Sequence, residues 1–347
     1  VTLRGAGTTV DGMTQPFRFG VMYDCRMREG SGATMADVYA ATVEQAALAD
    51  RLGLDFVWFT EHHFIRDGYL PAFQPLAGAI AAVTSRIRIS NDIALLPLYH
   101  PVRLAEELAV LDQLSRGRME FGIGMGYVPE EFASFGHSVR NRVSLTEEAI
   151  EILRQAWSDG PIDFVGKRYK VQGVEVFPKP YQPGGPPLWI AAMKEGGARR
   201  AGRFGTHLLP QGTPEEVLHP WREELISRGE NPDDYRVGIA RSVLVTDDPE
   251  RDWPIVRDAE RYRMGVYEHF FAVTPDEYTW NRRDVSPIPQ TWIVGDADHC
   301  VAELRRFREG YGITDVATAG LPPGLDPEFM GRNLERIATE VLPRLRD

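Results

Sequence analysis

The sequence predicts an α/β fold of the (β/α)8 TIM-barrel class, with an insertion between the seventh and eighth strands. Three observations carry that reading. Strand-like and helix-like segments alternate along most of the chain, eight strand candidates are present, and 347 residues suit one barrel of about 250 residues with additions.

Residues 1–16, with Gly and Thr but no period, read as a flexible lead-in. The β-type run Phe17–Asp24 is followed by Met35–Leu52, whose alanines and leucines fall at helical spacing until Gly53 stops them, and then by the strand Asp55–Phe59. Strand, helix and strand within about 40 residues form a βαβ unit, which implies a parallel sheet. The rhythm continues through a helix at Phe73–Val83, a strand at Arg86–Leu96, a helix at Val102–Leu114, a strand at Arg118–Gly124 and a helix at Arg142–Trp157. An insertion at about 160–185 interrupts it, and Phe164–Phe177, with Gly166 and Gly173 near its bends, reads as an antiparallel excursion. The alternation resumes with Pro187–Ala192, helix Lys194–Phe204, strand Thr206–Leu209, helix Pro214–Ser227 and strand Arg236–Val245. Ile313–Ala319 supplies an eighth strand, and a closing helix lies near Pro327–Leu342. Residues 246–312, with helices at Arg251–Phe271 and Ala297–Glu309, exceed an ordinary connection and make a second insertion. Residues 17–347 are therefore read as one domain. An open, doubly wound sheet is disfavoured, because the turn Met22–Gly32 after the first strand has no G-x-G-x-x-G.

A formal net charge of -11, a pI near 5.3 and scattered basic residues argue against a nucleic-acid-binding surface. No window reaches the roughly 18 apolar residues that span a bilayer, and no early run resembles a signal sequence. Cys25 and Cys300 give neither a disulfide framework nor a C-x-x-C pair, so a reducing, cytoplasmic setting is expected.

The stretch Trp58-Phe59-Thr60-Glu61-His62-His63-Phe64 puts a carboxylate and two histidines at a strand end, where barrels collect their active-site groups. Side-chain alternation lets only one of His62 and His63 face a pocket. Acid/base work, metal ligation with His100 and His207, and simple packing are all compatible with His62. The motif lacks H-E-x-x-H spacing, and no metal is expected. Asn91 and Asp92 interrupt the apolar third strand, which marks a polar pocket or a self-bonded bulge. Gly122, Gly124 and Gly126 in FGIGMG make room for a flat ligand or a neighbouring turn. Ala191-Ala192-Met193-Lys194-Glu195-Gly196-Gly197 opens a helix with glycines and a lysine, which suits a phosphate or a solvated cap. Tyr23, Phe64, Tyr99 and Tyr127 lie near strand ends as substrate-pocket candidates, with His269 and Phe270 placed to close over a ligand.

In this order, FTEHHF, LLPLYHPVRLAEELAVLDQLSRGRMEFGIGMG and WIVGDADHCVAEL resemble the bacterial luciferase-like flavin monooxygenase family, over roughly residues 17–345. The resemblance implies a (β/α)8 barrel with a reduced flavin at the open end of its strands. It implies that His62 is the catalytic acid/base, that Asn91 and Asp92 meet the ring edge, and that a non-prolyl cis peptide lies at or beside Asp92–Ile93. Cofactor contacts are implied for Glu61, Asn91, Asp92, Ile93, Gly124, Met125, Gly126, Ala192, Met193, Lys194, Gly196 and Gly197. Met125, Met193, Lys194 and Gly197 depart from the luciferase phosphate pattern, and Lys194 replaces some of the lost positive charge.

The implied activity is that of a two-component monooxygenase. FMNH2 from a transiently bound flavin reductase reacts with O2 to give a C4a-peroxyflavin, which oxygenates a small apolar or carbonyl-containing substrate. The superfamily brings two alternatives: F420-dependent hydride transfer, and a non-catalytic flavin-binding partner protein. The implied assembly is a homodimer.

Overall fold

The computed structural model describes residues 15–274 and 288–346. The expected lead-in at 1–16 and the centre of the second insertion therefore fall largely outside the described residues.

The strands are β1 (Arg18–Tyr23), β2 (Phe56–Phe59), β3 (Arg88–Asn91), β4 (Ala94–Leu95), β5 (Phe121–Gly124), β6 (Ile162–Val165), β7 (Lys170–Val174), β8 (Leu188–Ala192), β9 (His207–Pro210), β10 (Gly238–Ala240), β11 (Ser242–Val245), β12 (Trp292–Gly295) and β13 (Asp315–Ala319). Parallel pairing gives one sheet in the order β10-β13-β1-β2-β3 and another in the order β4-β5-β8-β9. Isolated parallel bridges, Ile89 to Met119 and Leu208 to Val237, join the two sheets at both sides. The result is a curled parallel sheet resembling a partial TIM barrel, with helices packed outside it. β6 and β7 form the antiparallel excursion.

Local signals explain why the helices begin and end where they do. Met35–Leu52 starts with a reciprocal Thr34–Asp37 capping box and stops at Gly53, whose φ of 79° is the left-handed conformation that glycine adopts cheaply. Two segments read as single strands are divided. Arg86–Leu96 breaks into β3 and β4 around Asp92–Ile93, and Arg236–Val245 breaks at Arg241 into β10 and β11. The second break has a pairing reason: β10 bonds to β13, whereas β11 bonds to β12, a strand absent from the eight that the sequence predicts. The closing helix carries a π-helical turn at Ile337–Val341.

The sheet interior is layered. At its foot, Arg18 contacts Glu120 at 2.8 Å and also Asp315, while Arg88 contacts Glu120, Arg236 reaches Asp315 at 3.1 Å, and Trp189 donates to Glu120 at 2.8 Å. Above this charged layer Phe56, Trp58, Trp189, Leu209 and Ala317 form an apolar plug. The second insertion places the long helix Pro249–Val273 by the strand ends. Arg26 donates to the Arg263 carbonyl at 2.6 Å, Tyr262 donates to Asp67 at 3.1 Å, and Arg28 pairs with Asp258 at 2.6 Å. No helix among the described residues is long and apolar enough to cross a membrane.

Candidate active site

Beyond β2 the chain leaves the sheet, and the two histidines are held by different carboxylates. Glu61 accepts from the Tyr99 hydroxyl at 2.6 Å and from the Leu95 N–H at 3.4 Å, and its other oxygen lies 3.0 Å from His63 Nε2. Glu131, on the short helix Pro129–Ser134 after β5, places Oε1 2.9 Å from His62 Nδ1 and accepts the His63 N–H at 2.8 Å. His62 faces an aromatic cluster. Its ring stacks on Phe270 at 4.3 Å and meets the edges of Tyr69, Tyr127 and Tyr267 at 5.0, 5.8 and 5.9 Å. The Tyr69 and Tyr267 hydroxyls bond at 2.7 Å.

The bend between β3 and β4 carries a cis peptide at Asp92–Ile93. Gln211 donates to Asp92 Oδ1 at 2.5 Å, and the Asp92 N–H bonds to the Phe59 carbonyl at 2.8 Å. Burial pushes the Asp92 carboxyl up to about 7, against the opposing hydrogen bond from Gln211. Asn91 is fully buried, and its side-chain N and O have no partner among the described residues.

Two of the glycines serve this bend. A Cβ on Gly122 would lie 1.8 Å from the Asn91 carbonyl oxygen, and one on Gly124 would lie 1.7 Å from Ile93 Cδ1. Of the two readings of FGIGMG, close approach of a neighbouring turn is the one seen at these positions. Gly126 has φ 68° and faces Phe132, beside half-buried Met125.

After β8, Ala192 is buried, Met193 is half-buried and Lys194 is the exposed N-cap of Glu195–Arg203, with no side-chain cap bond. Gly197 packs against Ala192, and the space beside Gly196 is open. The first N–H groups of such a helix lack intrahelical partners and suit an anion.

The pocket candidates separate. Tyr127 joins the His62 ring cluster and Tyr99 bonds to Glu61, but Tyr23 is buried in the main core. Phe64, at φ 62°, is 65% exposed and lies beside Phe135 on the surface. Phe270 covers His62, whereas His269 is exposed. Glu131, Tyr267 and Gln211 were not singled out from sequence. Glu131 had a signal in Pro129-Glu130-Glu131, but acidic residues in a helix's first turn read equally as partners of its dipole. Among the described residues no group of three or more His, Cys, Asp or Glu side chains is placed to hold a metal ion.

Comparison with known families decides the assignment. The model of the luciferase-like monooxygenases matches residues 17–314. The chain belongs to this family. The protein y4wF of Sinorhizobium fredii is similar to it, 32% identical over 232 residues, which cover 66% of this chain and 68% of the relative. The alkanal monooxygenase alpha chain of Photorhabdus laumondii is 29% identical over 51% of this chain, and the match spans only about half, 49%, of that relative's length. The F420-dependent glucose-6-phosphate dehydrogenase of Amycolatopsis mediterranei is 27% identical over 88% of this chain and 94% of its own. Among solved structures, the monooxygenase RslO1 from Streptomyces bottropensis aligns with TM-score 0.81 at 22% identity, covering 94% of this chain and 99% of that one, which shows the shared fold. Luciferase-like membership makes this chain an oxidoreductase of the flavin-dependent monooxygenase class, with a flavin-type cofactor, FMN or F420, at the family level.

Proposed function

We propose that the protein is the oxygenating component of a two-component monooxygenase, using FMNH2 delivered by a separate flavin reductase, and O2, on a small apolar or carbonyl-containing substrate. The observation that carries this reading is His62, held by Glu131 inside a ring of aromatic side chains, in a fold where β2 runs beside the polar bend of β3. The residues fit a flavin: the Asn91 amide is buried without a partner among the described residues, and the helix start at Gly196 is open to an anion.

In this reading Asn91, Asp92 and Ile93 meet the edge and face of the ring, with Gly124, Met125, Gly126 and Ala192 nearby. Met193, Lys194, Gly196 and Gly197 hold the phosphate. Glu61 acts indirectly, since its oxygens are bonded to Tyr99, His63 and Leu95. When bound, the reduced flavin supplies the electrons that activate O2. The protein's own part is to orient the ring, to exclude water with Tyr69, Tyr127, Tyr267 and Phe270, and to move a proton at His62.

The proposed architecture is a closed (β/α)8 barrel, in one domain over 17–347, with insertions at about 160–185 and 246–312. The protein is proposed to act in the cytoplasm as a homodimer. F420-dependent hydride transfer is the second reading, favoured by the near full-length match to an F420-dependent dehydrogenase.

Anaerobic titration with FMNH2 and with reduced F420, followed by admission of O2, separates the two. Tight FMNH2 binding and a transient absorbance distinct from that of oxidised FMN are expected. Selective binding of reduced F420 without that transient would replace oxygenation by hydride transfer.

A further inference from the structure

We propose that Glu131 is a positioning residue that keeps a proton on Nδ1 of His62, and so makes Nε2 the nitrogen that takes up and returns a proton. The use of Nε2 rests on the oxidoreductase reading above; the position of the resting proton does not.

One carboxylate oxygen carries the argument. Glu131 Oε1 already accepts the His63 N–H at 2.8 Å, and His62 Nδ1 lies 2.9 Å from the same atom. A carboxylate oxygen that already accepts a backbone N–H is placed to accept a second hydrogen bond, so we assign the imidazole nitrogen facing it as the donor. Nε2 is the ring nitrogen that does not face Glu131, so it is the one left to exchange a proton with a reacting group.

The surroundings fix the geometry. Glu131 is 1% exposed, and the next residue, Phe132, is buried in a cluster with Leu95, Leu98 and Leu145, so the short helix carrying the carboxylate is anchored to the fold. Turning the imidazole over within its plane would bring Cδ2 in place of Nδ1 opposite Glu131 and lose that hydrogen bond. Oε2 of Glu131 is buried without a partner among the described residues, so the hydrogen bonding of this carboxyl is concentrated on the oxygen that His62 and His63 share.

The proton balance is simple. Nε2 takes H+ from an oxygen of the reacting group, His62 becomes an imidazolium whose Nδ1–H still bonds to Glu131, and the same proton leaves from Nε2. No electron changes place at either residue.

Nitrogen-15 spectra of the ligand-free full chain test the resting proton directly. In the wild type His62 should show a protonated Nδ1 and a bare Nε2, whereas Glu131→Ala should move the proton to Nε2, the site that free neutral histidine prefers. Glu131→Gln keeps an acceptor oxygen and should keep the wild-type tautomer, and its thermal melt checks that the fold survives. With reduced FMN bound, reoxidation by O2 should slow or quicken by about tenfold or more in Glu131→Ala, with FMNH2 affinity within about threefold of wild type, and Glu131→Gln should restore most of the rate. A bare Nδ1 in the wild type, or a tautomer unmoved by Glu131→Ala, overturns the proposal. If the wild type binds neither FMNH2 nor reduced F420, the functional reading fails while the spectra still decide what Glu131 does.

Discussion

Asp92 is a carboxyl whose charge the fold resists. Its burial outweighs the hydrogen bond from Gln211 and raises it from the ordinary 3.8 to about 7. A group raised on folding binds more protons in the native state than in the unfolded one. Its stabilising contribution is therefore complete below about pH 4 and is lost as pH rises through about 7. Asp92→Asn keeps an oxygen for Gln211 and removes the ionisation. The variant should therefore gain on the order of 2 kcal/mol relative to wild type between pH 5 and pH 8. Urea midpoints at the two pH values measure this, and parallel shifts in both proteins would show that Asp92 does not titrate there. At this scale the sequence showed that only one of His62 and His63 could face a pocket, without saying which. Glu131 was not legible, because the sequence does not say which distant carboxylate a histidine meets.

The bend between β3 and β4 shows what one element demands of its neighbour. β5 passes so close that Gly122 has no space for a methyl group against the Asn91 carbonyl, which is backbone and cannot swing aside. Gly122→Ala should cost about 1–3 kcal/mol as the two strands separate, and it should weaken reduced-flavin binding if the bend seats the ring. Thermal melts and the same anaerobic titration check both halves; an unchanged melting temperature would refute the packing argument. Most helices were legible, since caps, periodicity and terminal glycines are local, and Met35–Leu52, Phe73–Val83, Arg142–Trp157 and Pro214–Ser227 form over the expected residues. The divided strands were not legible, because β10 and β11 part only on account of their partners β13 and β12. Phe64 misled for a related reason: nearness to a strand end does not fix direction, and the backbone turns its ring outward.

Across the whole molecule, the charged layer at the foot of the sheet joins distant parts of the chain. Burial opposes ionisation of Glu120, but Arg18 and Arg88 hold its carboxyl well below the usual glutamate range. A depressed group stabilises the fold above its ordinary range, and that stability is lost as pH falls through the ordinary value toward the folded one. Glu120→Gln leaves Arg18 and Arg88 short of a counter-charge and should cost about 3–5 kcal/mol in urea unfolding. Its effect on FMNH2 affinity should be slight, since the apolar plug separates this layer from the strand ends; a large loss of affinity with little loss of stability would reverse the assignment of roles. At the opposite end, the long helix brings Phe270 onto the face of His62. Any planar ligand that stacks on that face must therefore enter by exchange, one ring displacing another. Much of the stacking that the newcomer makes is stacking that Phe270 gives up, so affinity depends on where the evicted ring settles as well as on what the ligand touches. The protein thus carries its own competitor, tethered and always present, and selectivity among ring systems is set by how much better each stacks than a phenyl group.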